Sequence, residues 1–191
     1  MKLLNKKKCK KLEELIGFEP PTVNHQYNPF QNKETIMQSR LSYDKAAPGA
    51  LKAMYSLQKY VEESGLEKSL IELVKTRASQ VNGCAYCIDM HTKDARANGE
   101  TEQRLYALNA WRETPFYTDR ERAALAWTEA VTLISDGHVP DAVFDQARSQ
   151  FSEVELINLT MAVIAINGWN RLAISFRAEP GTYQPPTKHN K

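Results

Sequence analysis

The sequence predicts an all-α protein, a compact bundle of about seven helices. Three observations carry this. Apolar residues recur at three- and four-residue spacing, and no segment alternates apolar and polar residues between hairpin turns. Helix starts and stops also punctuate the chain at short intervals, leaving only short connections between elements.

Residues 1–36 stand apart. Lys6 to Lys11 is a charge run, Leu12 to Ile16 offers one helical turn, and Gly17 with Pro20-Pro21 ends it. The polar stretch Asn24 to Lys33 lacks the apolar content to offset its ordering entropy, so residues 1–36 are expected to form a flexible basic extension. Cys9 lies there among lysines, an incidental exposed thiol or a lysine-activated one.

The helical domain is expected over 37–177. Pro48 suits the first turn of a helix to about Glu63, with Leu51, Met54, Tyr55 and Leu57 apolar and Ser64-Gly65 as the stop. The next helix, Leu66 to Val81, turns Leu70, Leu73, Val74 and Val81 inward and leaves Glu67, Lys68, Lys75 and Arg77 for a wet face. Asn82-Gly83 breaks it, and Cys84 to Asn98 follows, capped by Gly99. A short helix Glu102 to Ala110 points Leu105 and Leu108 inward, and Trp111 to Phe116 connects onward. Thr118-Asp119-Arg120-Glu121 is a capping box for a helix through Ser135, with Ala124, Leu125, Trp127, Ala130, Val131 and Ile134 as core positions. Pro140 opens a helix to Gln150. A second capping box, Ser152 to Glu155, opens the most apolar segment, Leu156 to Phe176, which should be central or buried between subunits. Residues 178–191, with Pro180, Gly181, Pro185 and Pro186, read as an irregular tail.

The formal net charge of +2 is unevenly placed. Residues 1–36 hold seven lysines against four acids, which leaves the remainder at −1. The folded part therefore offers no argument for nucleic acid or an anionic membrane as partner. No apolar run approaches the roughly 20 residues that cross a bilayer, and the N-terminus lacks the apolar core of a secretory signal, so the expected location is the cytoplasm.

Reactive side chains concentrate in Gly83-Cys84-Ala85-Tyr86-Cys87-Ile88-Asp89-Met90-His91. On a helical wheel Cys87 lies roughly 60° from Cys84 with His91 between them, so the three share one stripe. At a helix start both thiols meet unpaired N–H groups that favour a thiolate, and cysteines three apart can close a disulfide. If the flanking helices form an antiparallel hairpin, Glu72 and His91 lie roughly 15 and 13 Å from the break, at the same level. A carboxylate on the inward Leu70/Leu73/Val74 face needs a partner, and His91 is the candidate, making Glu72 a proton-relay acid. The pair could instead hold zinc with His91 and Glu72, or be plain core packing. Zinc sites of this type draw a second cysteine pair, and the chain offers only Cys9, so no metal and no bound cofactor are expected.

Glu72, eleven intervening residues, Cys84-Ala85-Tyr86-Cys87 and then His91 resemble the signature of the AhpD-like alkylhydroperoxidases, within the carboxymuconolactone decarboxylase superfamily. The stretches Leu73 to Gly83 and Ala165 to Arg171 look like its single-domain members. The resemblance implies an AhpD-like helical fold that assembles through its helices as trimers or hexamers, and thiol-dependent reduction of hydroperoxides. By position, Cys87 matches the peroxide-attacking cysteine, Cys84 the resolving one, His91 the base and Glu72 the relay acid. The cycle it implies passes through a Cys84–Cys87 disulfide reduced by an external dithiol, lipoyl-bearing in the founding members or thioredoxin-like. Tyr86 departs from the pattern, standing where founding members carry a second histidine. Tyr86, Trp169 and Asn170 are candidate pocket residues. A non-catalytic redox sensor or disulfide-exchange protein is the alternative, and a decarboxylase-like enzyme the second.

Overall fold

The computed structural model describes residues 38–186, so expectations for the basic extension, Cys9 and residues 187–191 lie outside it. Among the described residues there are eight α-helices, one 3-10 segment and no strands. They are α1 (Tyr43–Ala46), α2 (Pro48–Glu62), α3 (Lys68–Asn82), α4 (Ala85–Ala97), α5 (Glu102–Ala107), α6 (Asp119–Thr132), α7 (Asp141–Gln150) and α8 (Glu153–Phe176), with the 3-10 turns Leu108–Glu113 between α5 and α6. The additional helix is α1, a single turn. Ala47 ends it outside the helical region (φ −143°, ψ 68°), as expected of the residue before Pro48.

Helix α3 is the central element, packed against α4, α6 and α8. Leu70, Ile71, Val74, Ala124, Leu159 and Val163 form the main core around it, while Leu73, Leu108, Trp111 and Leu125 make a second cluster. Because α3 is covered on nearly every side, its expected wet face is absent at two positions. Lys75 is 5% exposed and its ammonium sits 3.1 Å from Glu72 Oε1. Arg77 is also largely covered, its Nε 2.7 Å from Glu129 Oε1. The same Glu129 oxygen accepts the Trp111 indole N–H at 2.8 Å. Trp111 is therefore a buried anchor rather than connection, and the helix begun at Glu102 tightens into 3-10 turns, kinking at Ala110, to seat it.

Both capping boxes form. Thr118 and Ser152 each accept the N–H three residues on, and Glu121 and Glu155 reach back to the cap N–H groups. Helix α6 stops at Thr132, and Ile134, expected in the core, is 53% exposed beyond it. Helix α8 packs on α2, α3 and α6 through Leu159, Ala162, Val163 and Ile166, yet leaves Val154, Ile157 and Ile164 in the open. No single helix among the described residues is long and apolar enough to cross a membrane. Residues 178–186 form no helix or strand and run back along α4.

Candidate functional site

The α3–α4 junction places the cysteines. Gly83 ends α3 in a left-handed conformation (φ 69°, ψ 32°), which costs any other residue about 1–2 kcal/mol. Cys84 follows, extended, as the N-cap of α4, and its sulfur accepts the Cys87 N–H at 3.4 Å. Sulfur here does the work that a serine or aspartate oxygen does at ordinary helix starts. Both cysteines are free and 1% exposed, packed with Ala78, Ile166 and Ala173 and flanked by Tyr86 and Trp169.

The two thiols are not equivalent. The Cys87 thiol donates to Cys84 and draws its pKa down to about 7, with help from the Cys87 N–H and the Asn170 side chain and against the opposing effect of burial. Cys87 is pushed up by that same donated bond, by burial and by the charge on Cys84.

His91 lies one turn beyond Cys87 on α4 and is 5% exposed. Its Nδ1 is 2.9 Å from Glu72 Oε2, which realises the hairpin register expected from the sequence. Burial raises the Glu72 carboxyl, but the hydrogen bond and charge of His91, together with Lys75, outweigh it and hold Glu72 below the ordinary carboxylate range. An ionised carboxylate only accepts, so Nδ1 carries the hydrogen and Nε2 is left as the basic nitrogen. Lys75 is the member that sequence reasoning misplaced. Its position three residues after Glu72, within pairing reach on a helix, was the available signal.

Behind the sulfurs lies an amide network. Asn82 Nδ2 donates to Asn170 Oδ1 at 2.8 Å and to Asn167 Oδ1 at 3.0 Å, and Asn170 Nδ2 donates to Ser79 Oγ at 3.1 Å. Asn170 is fully buried and lowers both thiols, so it supports the cysteines from the core. Trp169 is half-buried with its ring centroid 5.3 Å from that of Tyr55. Burial raises the Tyr43 and Tyr86 hydroxyls, and the Cys87 charge raises both further, so they remain phenols able to donate.

Among the described residues, Glu72, His91 and Asp94 bring ligand-type atoms within 4.8 Å of one another, and neither cysteine belongs to that group. The donor set suits a cation poorly. The Lys75 ammonium occupies one Glu72 oxygen, and the Tyr183 hydroxyl donates to Asp94 Oδ1 at 2.7 Å. The separation of the sulfurs from this trio also disfavours the zinc alternative built on Cys84, Cys87, His91 and Glu72.

Fold and site together define an all-helical dithiol protein, with a cysteine pair at a helix start beside a buried histidine–carboxylate couple. The chain belongs to the carboxymuconolactone decarboxylase family, whose pattern matches residues 48–130. It is 45% identical over 139 residues to the uncharacterized protein YdfG of Bacillus subtilis, covering 73% of this chain and 95% of that one. A crystal structure of an Agrobacterium tumefaciens protein of unknown function, with a suggested AhpD antioxidant-defence role, is 46% identical. It superposes with a TM-score of 0.74, covering 76% of this chain and all of that one. The debrominase Bmp8 shares the fold at a TM-score of 0.66 and 22% identity, over 72% of this chain and 74% of its own. Proteins of this fold thus carry more than one activity label.

Proposed function

We propose that the protein is a thiol-dependent peroxidase that reduces a hydroperoxide through a Cys84–Cys87 disulfide. The observation that carries this reading is the buried pair of free cysteines at the start of α4, one turn from a histidine fixed by an ionised carboxylate. Cys87 loses its proton to His91 and its sulfur attacks one peroxide oxygen. The O–O bond breaks, the Cys87 sulfur becomes a sulfenic acid, and the alkoxide leaves as an alcohol with the proton from His91. Cys84, whose pKa is held at about 7, then attacks the Cys87 sulfur and displaces water, which closes the disulfide. An external dithiol, lipoyl or thioredoxin-like, returns the two electrons. Glu72 holds His91 in the required tautomer and stabilises its charged form. Tyr86 stands by as a hydrogen-bond donor where the founding members have a base. The open apolar face of α8 supports assembly into the trimers or hexamers implied by the resemblance.

The test is peroxide consumption with a panel of dithiol donors, comparing the native chain with Cys87→Ser. Turnover should require Cys87 and a dithiol. Undiminished turnover in Cys87→Ser would overturn the reading.

A further inference from the structure

The Glu72–His91 couple has a second acidic neighbour. Asp94 is on α4, three residues after His91, with its carboxylate within 4.8 Å of the reactive atoms of both His91 and Glu72. An additional negative charge beside a buried carboxylate is unfavourable unless something holds it, and the holder comes from the other end of the chain. After α8, Arg177 takes a left-handed backbone (φ 56°) and the chain turns back along α4. Three consecutive anchors fasten it. The Gly181 N–H donates to Asp89 Oδ2 at 3.0 Å, the Lys93 ammonium donates to the Tyr183 carbonyl at 3.0 Å, and the Tyr183 hydroxyl donates to Asp94 Oδ1 at 2.7 Å. Lys93 also holds Asp89 at 2.9 Å, so the two residues form one clamp on the passing backbone.

This docking sets one phenol with care. Gly181 and Lys93 fix the main chain on either side of it, and the side chain then reaches the one carboxylate that adjoins the couple. Burial, the hydrogen bond to Asp94 and the nearby charges of Asp94 and Glu72 all keep Tyr183 protonated, so it serves as a fixed donor. The ionisable groups of this cluster are Glu72 with its partner Lys75 from α3, Tyr86 and the Asp89–Lys93 pair from α4 beside His91 and Asp94, and Tyr183 from the C-terminal segment. The residues that match the family pattern end at 130, so Tyr183 lies outside that stretch.

We propose that Asp94 and Tyr183 are positioning residues for the His91–Glu72 couple, and hence that the C-terminal segment through Tyr183 is part of the redox site. This rests on the reading that His91 serves the cysteine pair as its base. The phenol's hydrogen bond disperses the Asp94 charge and fixes the direction of its lone pairs, which sets the field in which His91 and the thiols exchange a proton.

The test uses the reduced full-length chain and follows the rate of alkylation of the cysteine pair by iodoacetamide against pH, a readout that needs no peroxide. Tyr183→Phe keeps the ring and removes the donor, leaving Asp94 more negative toward the couple. Its alkylation midpoint should move up by about half a pH unit or more, a roughly threefold lower rate at a fixed pH below the midpoint. Asp94→Asn removes the charge and should move the midpoint down. Opposite shifts, with unchanged far-UV circular dichroism, support the proposal; loosened packing alone would not invert sign between the two variants. A Tyr183→Phe profile superimposable on the native one, or shifts of the same sign in both variants, overturns it. Absence of peroxide turnover in the native chain would instead count against the peroxidase reading and leave this profile readable.

Discussion

The Nδ1 atom of His91 sits 2.9 Å from Glu72 Oε2, and the other oxygen of the same carboxylate holds the Lys75 ammonium at 3.1 Å. One carboxylate thus serves two bases in a site where all three side chains are nearly dry. The arrangement ties the chemistry of the site to the stability of α3, since the charge that orients His91 also compensates a buried lysine.

Replacing Glu72 by Gln keeps the shape and removes that charge. Leaving the Lys75 ammonium without its counter-charge should cost roughly 3–5 kcal/mol, measured by chemical denaturation. Peroxide turnover should fall by about tenfold to a hundredfold, by analogy with the loss of a carboxylate partner behind a metal-bound histidine. The double variant Glu72→Gln/Lys75→Met should recover much of the stability and none of the activity. Equal stability of the single variant and the native chain would refute the pairing.

Cys84 should be the first thiol to ionise. Mass-spectrometric mapping of iodoacetamide labelling in the reduced protein should show Cys84 titrating with a midpoint of about 7 and Cys87 unlabelled at the same pH. Cys87→Ser replaces the thiol that most strongly lowers Cys84, so the Cys84 midpoint should rise toward the ordinary thiol value of about 8.5. Preferential labelling of Cys87 near neutral pH would contradict this assignment.

Asn170 should matter for the cysteines as well as for packing. Asn170→Ala removes a donor that lowers both thiols and takes one hydrogen-bond partner each from Ser79 and Asn82, so the Cys84 midpoint should rise. Stability should fall by about 1–3 kcal/mol, the cost of leaving buried polar groups unsatisfied. Asn82→Ala leaves Asn170 in place without its orienting partner and should show a smaller shift of the same sign. Thermal unfolding and the labelling profile measure the two effects separately.

The capping box of α8 offers an acid-stability test. The Ser152 N–H, Arg120 and the Ser152 hydroxyl lower Glu155 from 4.5 to about 2. A depressed carboxylate contributes stability that is complete above its unfolded value and is lost as pH falls through its folded value. The contribution should therefore be intact above about pH 4.5 and disappear toward about pH 2. Carboxylate titration by nuclear magnetic resonance should place Glu155 near the lower value in the native chain and higher in Ser152→Ala. That variant should also lose about 1 kcal/mol at neutral pH.

Much of the fold was legible because its signals are local. Both capping boxes, the stop at Asn82-Gly83 and the inward Leu105 and Leu108 follow from residues within a turn or two of each other. The Glu72–His91 bond was legible for a different reason: a tight break between two helices of similar length leaves one register, and rise per residue then sets the depth. The errors have a common origin. Lys75 and Arg77 read as solvent-facing because amphipathic reasoning assumes that one side of a helix meets water, whereas α3 is enclosed by α4, α6 and α8. Ile134 read as core because the apolar pattern continues past the point where Thr132 ends α6.

The sequence by itself determined the helical class, the junction that puts Cys84 at a helix start and the stripe shared with Cys87 and His91. These depend on spacing and on the conformational freedom of Gly83, both encoded within a few residues. Only the tertiary structure decided that the two thiols shift in opposite directions, that Asn82 and Asn170 stand behind them, and that Tyr183 returns from the chain end to hold Asp94. The last two relationships join residues about 90 positions apart, and all three depend on burial and hydrogen-bond direction that arise only once the helices pack.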